Sequence, residues 1–337
     1  MPVGTRGTVK AIDMEDLRRL APPVVLMNAY HLWTAPGAAA VAAAGGLHAF
    51  TGWSGNILTD SGGFQAVSLA RAGAARVDED GVHFEADGGD GRLLSPERAI
   101  EVQSLLAPDV MMALDQPVPY GSTAAETEAA TARTHRWAER CLTAWGRGPV
   151  ELFGIVQGGF DPVLRRQSAA IVGGMGFPGH AIGGLSLGER PGTSDSLTRV
   201  VNAILAPDRP RYLMGVGSEP ELLAGIAAGV DMFDCVWPTR LARTGSVLVG
   251  AGRLNLRAAA SADNFGPIEP GCTCPTCTGH TRSQLRYLFQ RGELLAHRLA
   301  TIHNLHHLLE LMRQARTAIL AGAFEDFRAS RLAAPVG

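Results

Sequence analysis

The stretch LFGIVQGGFDPVLRRQSAAIVGGMGFPGHAIGGL, residues 152 to 185, decides the fold. It opens with a short apolar run, LFGIVQG (152–158), passes through a Gly-rich break and a helical pattern, and ends in a second run, HAIGGL (180–185). Runs this short, rich in β-formers and closed by turn residues, predict buried strands. The same unit recurs in both directions: PVGT (2–5), VVLMN (24–28), NILTD (56–60), VMMALD (110–115), RYLMGVG (211–217) and DMFDCV (231–236). Between them lie helix starts, such as Ser95-Pro96 as N-cap and first-turn proline, and Ser218 with Glu221 as a capping box before LLAGIAAGV. Eight strands alternating with helices predict an α/β fold, a (β/α)8 TIM barrel.

Run after run stays apolar until its end and then delivers a polar or glycine residue: Asp60, Asp115, Gln157, Gly184, Asp234. A single Asp there would be an ordinary helix or turn cap. Three Asp and a Gln on one rim point to a site, because barrel enzymes hold their chemistry at the C-terminal ends of the strands.

Two stretches break the repeat. Residues 66–95 contain an Asp80-Gly81 turn between VDED and VHFEA, which predicts a hairpin inserted after the third strand. Residues 238–300 are rich in Gly, Arg and Cys and predict a smaller subdomain, so the barrel occupies 1–237 and a last barrel helix 301–337. Of five cysteines, Cys141 and Cys235 stand alone, whereas Cys272-x-Cys274-x2-Cys277 brings three thiolates into one tight turn. A tetrahedral site then needs one more N or S ligand, and histidines follow at 280, 297, 303, 306 and 307. Four protein ligands leave no open position, so such a metal would be structural.

The chain has 337 residues, 46% hydrophobic and 18% charged, which excludes a disordered chain, and no apolar run long enough for a membrane span. MPVGTRGTVK lacks the features of a secretory signal, which predicts a cytoplasmic protein. A net charge of −2 gives no global nucleic-acid signature, so any RNA contact has to come from a local basic patch.

TDSGGFQ (59–65), LMGVG (213–217), DMFDCVWPTR (231–240), the cysteine cluster and TIHN (301–304) together resemble the bacterial tRNA-guanine transglycosylase family, in order and separation, over nearly the whole chain. The resemblance implies Zn2+ held by Cys272, Cys274, Cys277 and His303. It implies Asp234 as the nucleophile that attacks C1′ of a ribose and Asp60 as general acid/base. The base would lie between Phe64 and Met214, with Asp115 accepting its N1 and amino protons, Gln157 and the Gly184 N–H toward O6, and Gly183 and Leu185 beside them. Lys10, Arg240 and Arg243 would contact RNA, with Arg282, Arg286 and Arg291 as further candidates. The implied partners are tRNA, through the wobble guanosine of its anticodon loop, a 7-deazaguanine base (first the 7-aminomethyl form), and a second copy of the chain. A non-catalytic partner subunit is the alternative, and retention of Asp60 and Asp234 argues against it. Two departures bear on the pocket: Gln116-Pro117 replaces the usual Glu-Cys after Asp115, and Leu187 stands where the 7-substituent is shaped. Family members also carry a segment before the position of Pro2-Val3-Gly4-Thr5. The expectation is therefore a start assigned too far downstream or a degraded copy, a seven-strand remnant with exposed edges.

Overall fold

The computed structural model describes residues 1–65, 75–84, 91–186, 188–190, 192–250 and 252–333. All eight predicted runs form strands: β1 Val3–Gly4, β2 Val24–Met27, β3 Asn56–Thr59, β4 Val110–Met112, β5 Glu151–Val156, β6 Gly179–Ile182, β7 Arg211–Leu213 and β8 Met232–Phe233. They make one parallel sheet in chain order, with helices in the connections, so the architecture is the (β/α)8 barrel. Where the sequence suggests an open seam at the first strand, Met1 lies against β8: its ammonium donates to Phe233 O at 2.6 Å, and Cys235 N donates to Met1 O at 3.4 Å.

Alternation along the strands builds the core. Phe153 and Ile155 of β5 point into the barrel with Leu26, Leu58, Met112 and Tyr212, while Leu152 and Val156 pack outward under the helices. Among the paired strands the shortest ladder is between β3 and β4, which share a single register position, Leu58 with Val110. A side-chain amide completes it. Gln103 donates to Met112 O (2.9 Å) and accepts from Met112 N (2.9 Å) and Thr59 Oγ1 (2.9 Å), all buried. An unmade bond there would cost about 1–3 kcal/mol per group.

The helix starts read from sequence are real caps. Ser95 accepts from Arg98 N, and Ser218 with Glu221 forms a capping box. The insertion contains a third strand that the hairpin reading did not include: Ala75–Val77, Val82–Phe84 and Arg92–Leu94 form an antiparallel sheet. It is fastened to helix Ala124–Trp145 by a bidentate pair from Arg136 to Glu79 (2.7 and 2.8 Å) and by Trp137 Nε1 to Glu79 O (2.9 Å). Residues 66–74 and 85–90 of the predicted insertion lie outside the described residues, as does Leu187.

After β8 come helix Trp237–Thr244, an antiparallel hairpin of Ser246–Val249 and Gly252–Asn255, and helices Pro275–Gly279 and Arg282–Arg291. The 27-residue helix Leu294–Leu320 serves both units. Its Ala296, Leu299 and Ala300 pack with Cys274, Cys277, Leu285 and Phe289, whereas its Ile302, Leu305 and Leu309 pack on the barrel. This cysteine-bearing unit fits a zinc-binding subdomain near the C-terminus. No helix among the described residues is long and apolar enough to cross a membrane.

Candidate active site and metal-ligand cluster

Three strand ends bring carboxyls to one rim. Asp60 follows β3, and its N–H still donates to Met27 O at 3.2 Å, extending the ladder by one residue. Its side chain accepts from Asn28 Nδ2 (2.6 Å) and Ala29 N (2.8 Å), both from the neighbouring strand end. Asp60 keeps part of its surface open, but protein surrounds it closely enough that burial pushes its pKa up to about 7. The Ala29 bond opposes that shift, and the charges of Asp234 and Asp115 add to it. Asp115 is buried and is pushed up to about 6 by desolvation, against a bond from Gln157 Nε2 (2.6 Å). Asp234, one residue past β8, receives Tyr212 OH (2.5 Å) and Gly215 N (2.8 Å) on the same oxygen, Oδ1. Those two donors fix the carboxylate's orientation. Burial and then the charge of Asp234 hold the Tyr212 phenol well above its ordinary pKa, so it stays a donor.

Beside Asp115 lies an unsatisfied acceptor. Gln157 Oε1 is buried with no hydrogen-bond partner among the described residues. The turn after β6 closes directly over it: a Cβ on Gly183 would stand 2.5 Å from Gln157 Nε2, and one on Gly184 2.3 Å from Oε1. Gly184 has φ +70°, so glycine is required there on both counts. A buried carboxyl, an orphan amide oxygen and bare backbone converging on one spot suit a flat ligand with polar edges. Leu185 is buried beside the turn; Met214 is half-buried against the barrel interior, while Phe64 stays 56% exposed.

The cysteine cluster is built differently. Cys272, Cys274, Cys277 and His303 place one ligand atom each within 4.8 Å of the others. The three sulfurs lie 3.8, 3.5 and 3.3 Å from His303 Nδ1. Tetrahedral coordination with bonds near 2.3 Å to sulfur and 2.0–2.1 Å to nitrogen puts these atoms about 3.5–3.6 Å apart. His303 Nε2 lies 2.7 Å from Leu248 O, an acceptor that leaves Nδ1 free to bind an ion. The thiols themselves compete: hydrogen bonding from Cys274 and Cys277 pulls Cys272 down, while bonding to Cys272 and Cys277 pushes Cys274 up. A divalent cation removes that conflict by taking all three as thiolates.

A family model described as queuine tRNA-ribosyltransferase matches residues 1–335. The chain is 48% identical over 330 residues to the queuine tRNA-ribosyltransferase of Bacillus mycoides (strain KBAB4), covering 97% of this chain and 86% of the relative. It is 47% identical, with the same coverage, to the proteins so named in Bacillus cereus (strain Q1) and Bacillus thuringiensis (strain Al Hakam). The chain belongs to the queuine tRNA-ribosyltransferase family. As a family member it is an enzyme, of the pentosyltransferase class.

Against that membership the residues can be placed one by one. The structure brings Asp60, Asp115, Gln157, Gly183, Gly184, Leu185, Met214 and Asp234 to the strand ends of the barrel. Lys10, Arg240 and Arg243 are exposed and form no ion pair with a described carboxylate, though Arg243 Nη1 donates to Thr239 O at 3.0 Å. Arg282 is engaged otherwise, donating to Pro267 O (3.0 Å) and Ile268 O (2.6 Å). Of the candidate histidines only His303 enters the cluster; His306 approaches Thr273 (3.5 Å) and His307 approaches Glu269 (3.3 Å).

Sequence reasoning missed three residues. Asn28 closes VVLMN, so the rule that found Asp60 applied to it as well. Tyr212, in a strand interior, reads as core and is core, with its hydroxyl turned to Asp234. Arg165 looks like any helix arginine, yet it is fully buried behind the Gly183–Gly184 turn.

Proposed function

We propose that this enzyme exchanges the wobble guanine of tRNA for 7-aminomethyl-7-deazaguanine through a covalent aspartyl-ribosyl intermediate. The observation that carries the reading is the pairing of two rim carboxyls in unlike settings. Asp234 is oriented by two donors, and Asp60 has a pKa raised to about 7, so near neutral pH it can both give and take a proton.

In the first half, Asp234 attacks C1′ of the ribose as the bond to guanine N9 breaks. Asp60 gives its proton to the leaving base. The product is a ribosyl ester on Asp234, reached through an oxocarbenium-like transition state of the kind that carboxylates stabilise in retaining glycosidases. In the second half, the incoming deazaguanine loses its N9 proton to Asp60, and N9 attacks C1′ and expels the Asp234 carboxylate. Asp115 would accept the N1 and amino protons of either base, and the Gly184 N–H and the second N–H of Gln157 Nε2, whose first holds Asp115, would donate to O6, with Phe64 and Met214 on the two ring faces.

The Cys272, Cys274, Cys277 and His303 set suits Zn2+, since thiolate and imidazole donors in a closed four-ligand set select it over magnesium or calcium. The ion would supply structural closure to the subdomain and take no part in base exchange. Lys10, Arg240 and Arg243 would hold phosphates of the anticodon loop, whose unstacked bases are cheap to flip. We read the enzyme as a cytoplasmic homodimer.

Incubation of tRNA with radiolabelled guanine tests the reaction, and competition with the 7-aminomethyl base tests the substrate. Label should enter tRNA at the wobble position and be displaced irreversibly by the deazaguanine. No incorporation would refute the reading.

A further inference from the structure

Helix Pro162–Gly174 turns one arginine inward. The Arg165 guanidinium is fully buried and ties three backbone carbonyls: Nε donates to Gly159 O (2.8 Å), and Nη1 to Val156 O (3.2 Å) and Gly183 O (2.7 Å). Val156 ends β5, Gly159 closes the loop that follows Gln157, and Gly183 follows β6. One side chain therefore joins the two strand ends that carry Gln157 and the Gly183–Gly184 turn. The loop is fitted to this arrangement. Gly158 has φ +139°, and a Cβ there would stand 2.8 Å from Arg165 N.

Arg165 Nη2 is buried and has no partner among the described residues. A Cβ on Gly184 would stand 3.4 Å from that nitrogen and 2.3 Å from Gln157 Oε1, which also lacks a partner. The bare α-carbon of Gly184 is thus flanked by an unused donor and an unused acceptor. Fold stability alone gives no reason to bury both, because each such group is destabilising. A lysine could not replace the fork, since a single ammonium cannot span three carbonyls in one plane.

We propose that Arg165 is a positioning residue of the base pocket, fixing the Gly183–Gly184 turn against Gln157 and thereby setting affinity for the incoming base. It acts through the turn and does not touch the base. The proposal rests on reading Asp115, Gln157 and Gly184 as the base site. Asp60, Asp234 and the exposed arginines have no hydrogen bond to Arg165 among the described residues, so the phosphate contacts that supply most of the tRNA affinity should be indifferent to it, although the flipped guanine shares the pocket.

The test is steady-state exchange by Arg165→Lys and Arg165→Gln, varying guanine at saturating tRNA and tRNA at saturating guanine. The KM for guanine should rise about tenfold or more, the size of effect that sub-ångström displacement of a positioning contact produces, while the KM for tRNA stays within about twofold. An unchanged guanine KM, or equal losses in both, overturns the proposal. Should neither variant fold, the parent protein labelled with 15N-arginine gives the answer: added guanine should shift the signals of a slowly exchanging guanidinium, and no response overturns it. Exchange by the parent with an unchanged guanine KM in the variants defeats this inference alone. Absence of exchange by the parent defeats the proposed function and this inference with it.

Discussion

The barrel rim and the cysteine cluster hold four key groups each, and they solve opposite problems. At the cluster, three ligands fall within six residues of sequence and a fourth, His303, has its ring set by Leu248 O, so every donor converges on one point. At the rim, Asp60, Asp115, Gln157 and Asp234 come from four strands, and the protein leaves them incompletely matched: two carboxyls raised by burial and an amide oxygen with no partner among the described residues. The cluster's competing thiols would be settled by one resident cation, whereas a site built to bind and react keeps demands that only a passing substrate meets.

The largest effect should come from removing the proposed nucleophile. Asp234→Asn should lower base exchange by at least about a thousandfold and abolish any denaturation-resistant protein–RNA species, with tRNA affinity preserved. Filter binding beside a denaturing gel checks both. A near-normal exchange rate in Asp234→Asn would erase the contrast, making the rim another structural cluster.

Cys274→Ala or Cys277→Ala should leave the barrel standing and damage the other region. Elemental analysis should fall from about one zinc per chain toward none, because three ligands hold the ion far more weakly than four. Limited proteolysis should then cut between residues 238 and 293 before it cuts the barrel. Full metal occupancy in either variant would show that the cluster is not the site.

Asp60→Asn should be milder than Asp234→Asn, slowing turnover by about two to four orders of magnitude while the protein–RNA adduct still forms. Undiminished turnover would remove Asp60 from the chemistry.

How much of this was legible depends on how locally each group is specified. The eight strands were, because parallel barrel strands are short apolar runs that end abruptly, and Asp60, Asp115 and Asp234 were visible as the residues where apolarity stops. The cysteine spacing was equally local. Tyr212 and Arg165 were not, since their roles come from what packs against them: a phenol inside the barrel facing Asp234, and a helix arginine facing backbone carbonyls. Gln103 was hidden for the same reason, standing in for ladder bonds that only the β3–β4 seam reveals. The third strand of the insertion, Arg92–Leu94, was hidden by its brevity, three residues of which only Leu94 is buried.

The smallest expected effect is on stability. Asp60 and Asp115 have folded pKa values raised above those of an unfolded chain, so the folded state binds protons more tightly. Their stabilising share is present below about pH 4 and is lost as pH rises through about 6 and 7, where each must ionise inside the protein. Asp60→Asn, always neutral, should therefore melt at or above the parent at pH 8 and keep only a smaller part of that advantage at pH 5, where the parent's Asp60 is protonated when folded and ionised when unfolded. Differential scanning calorimetry at the two pH values sharpens the comparison; an advantage that grows toward pH 5 would reverse its sign.

The most direct test of the account is to trap the intermediate and find the residue that carries it. An anticodon stem-loop RNA incubated with the enzyme and quenched in acid should leave a ribosyl-linked peptide. Digestion and mass spectrometry should place the ribosyl mass on Asp234 in DMFDCVWPTR, and adding free base before the quench should discharge it. Base exchange that proceeds without any such peptide, or an adduct on another residue, would contradict the account.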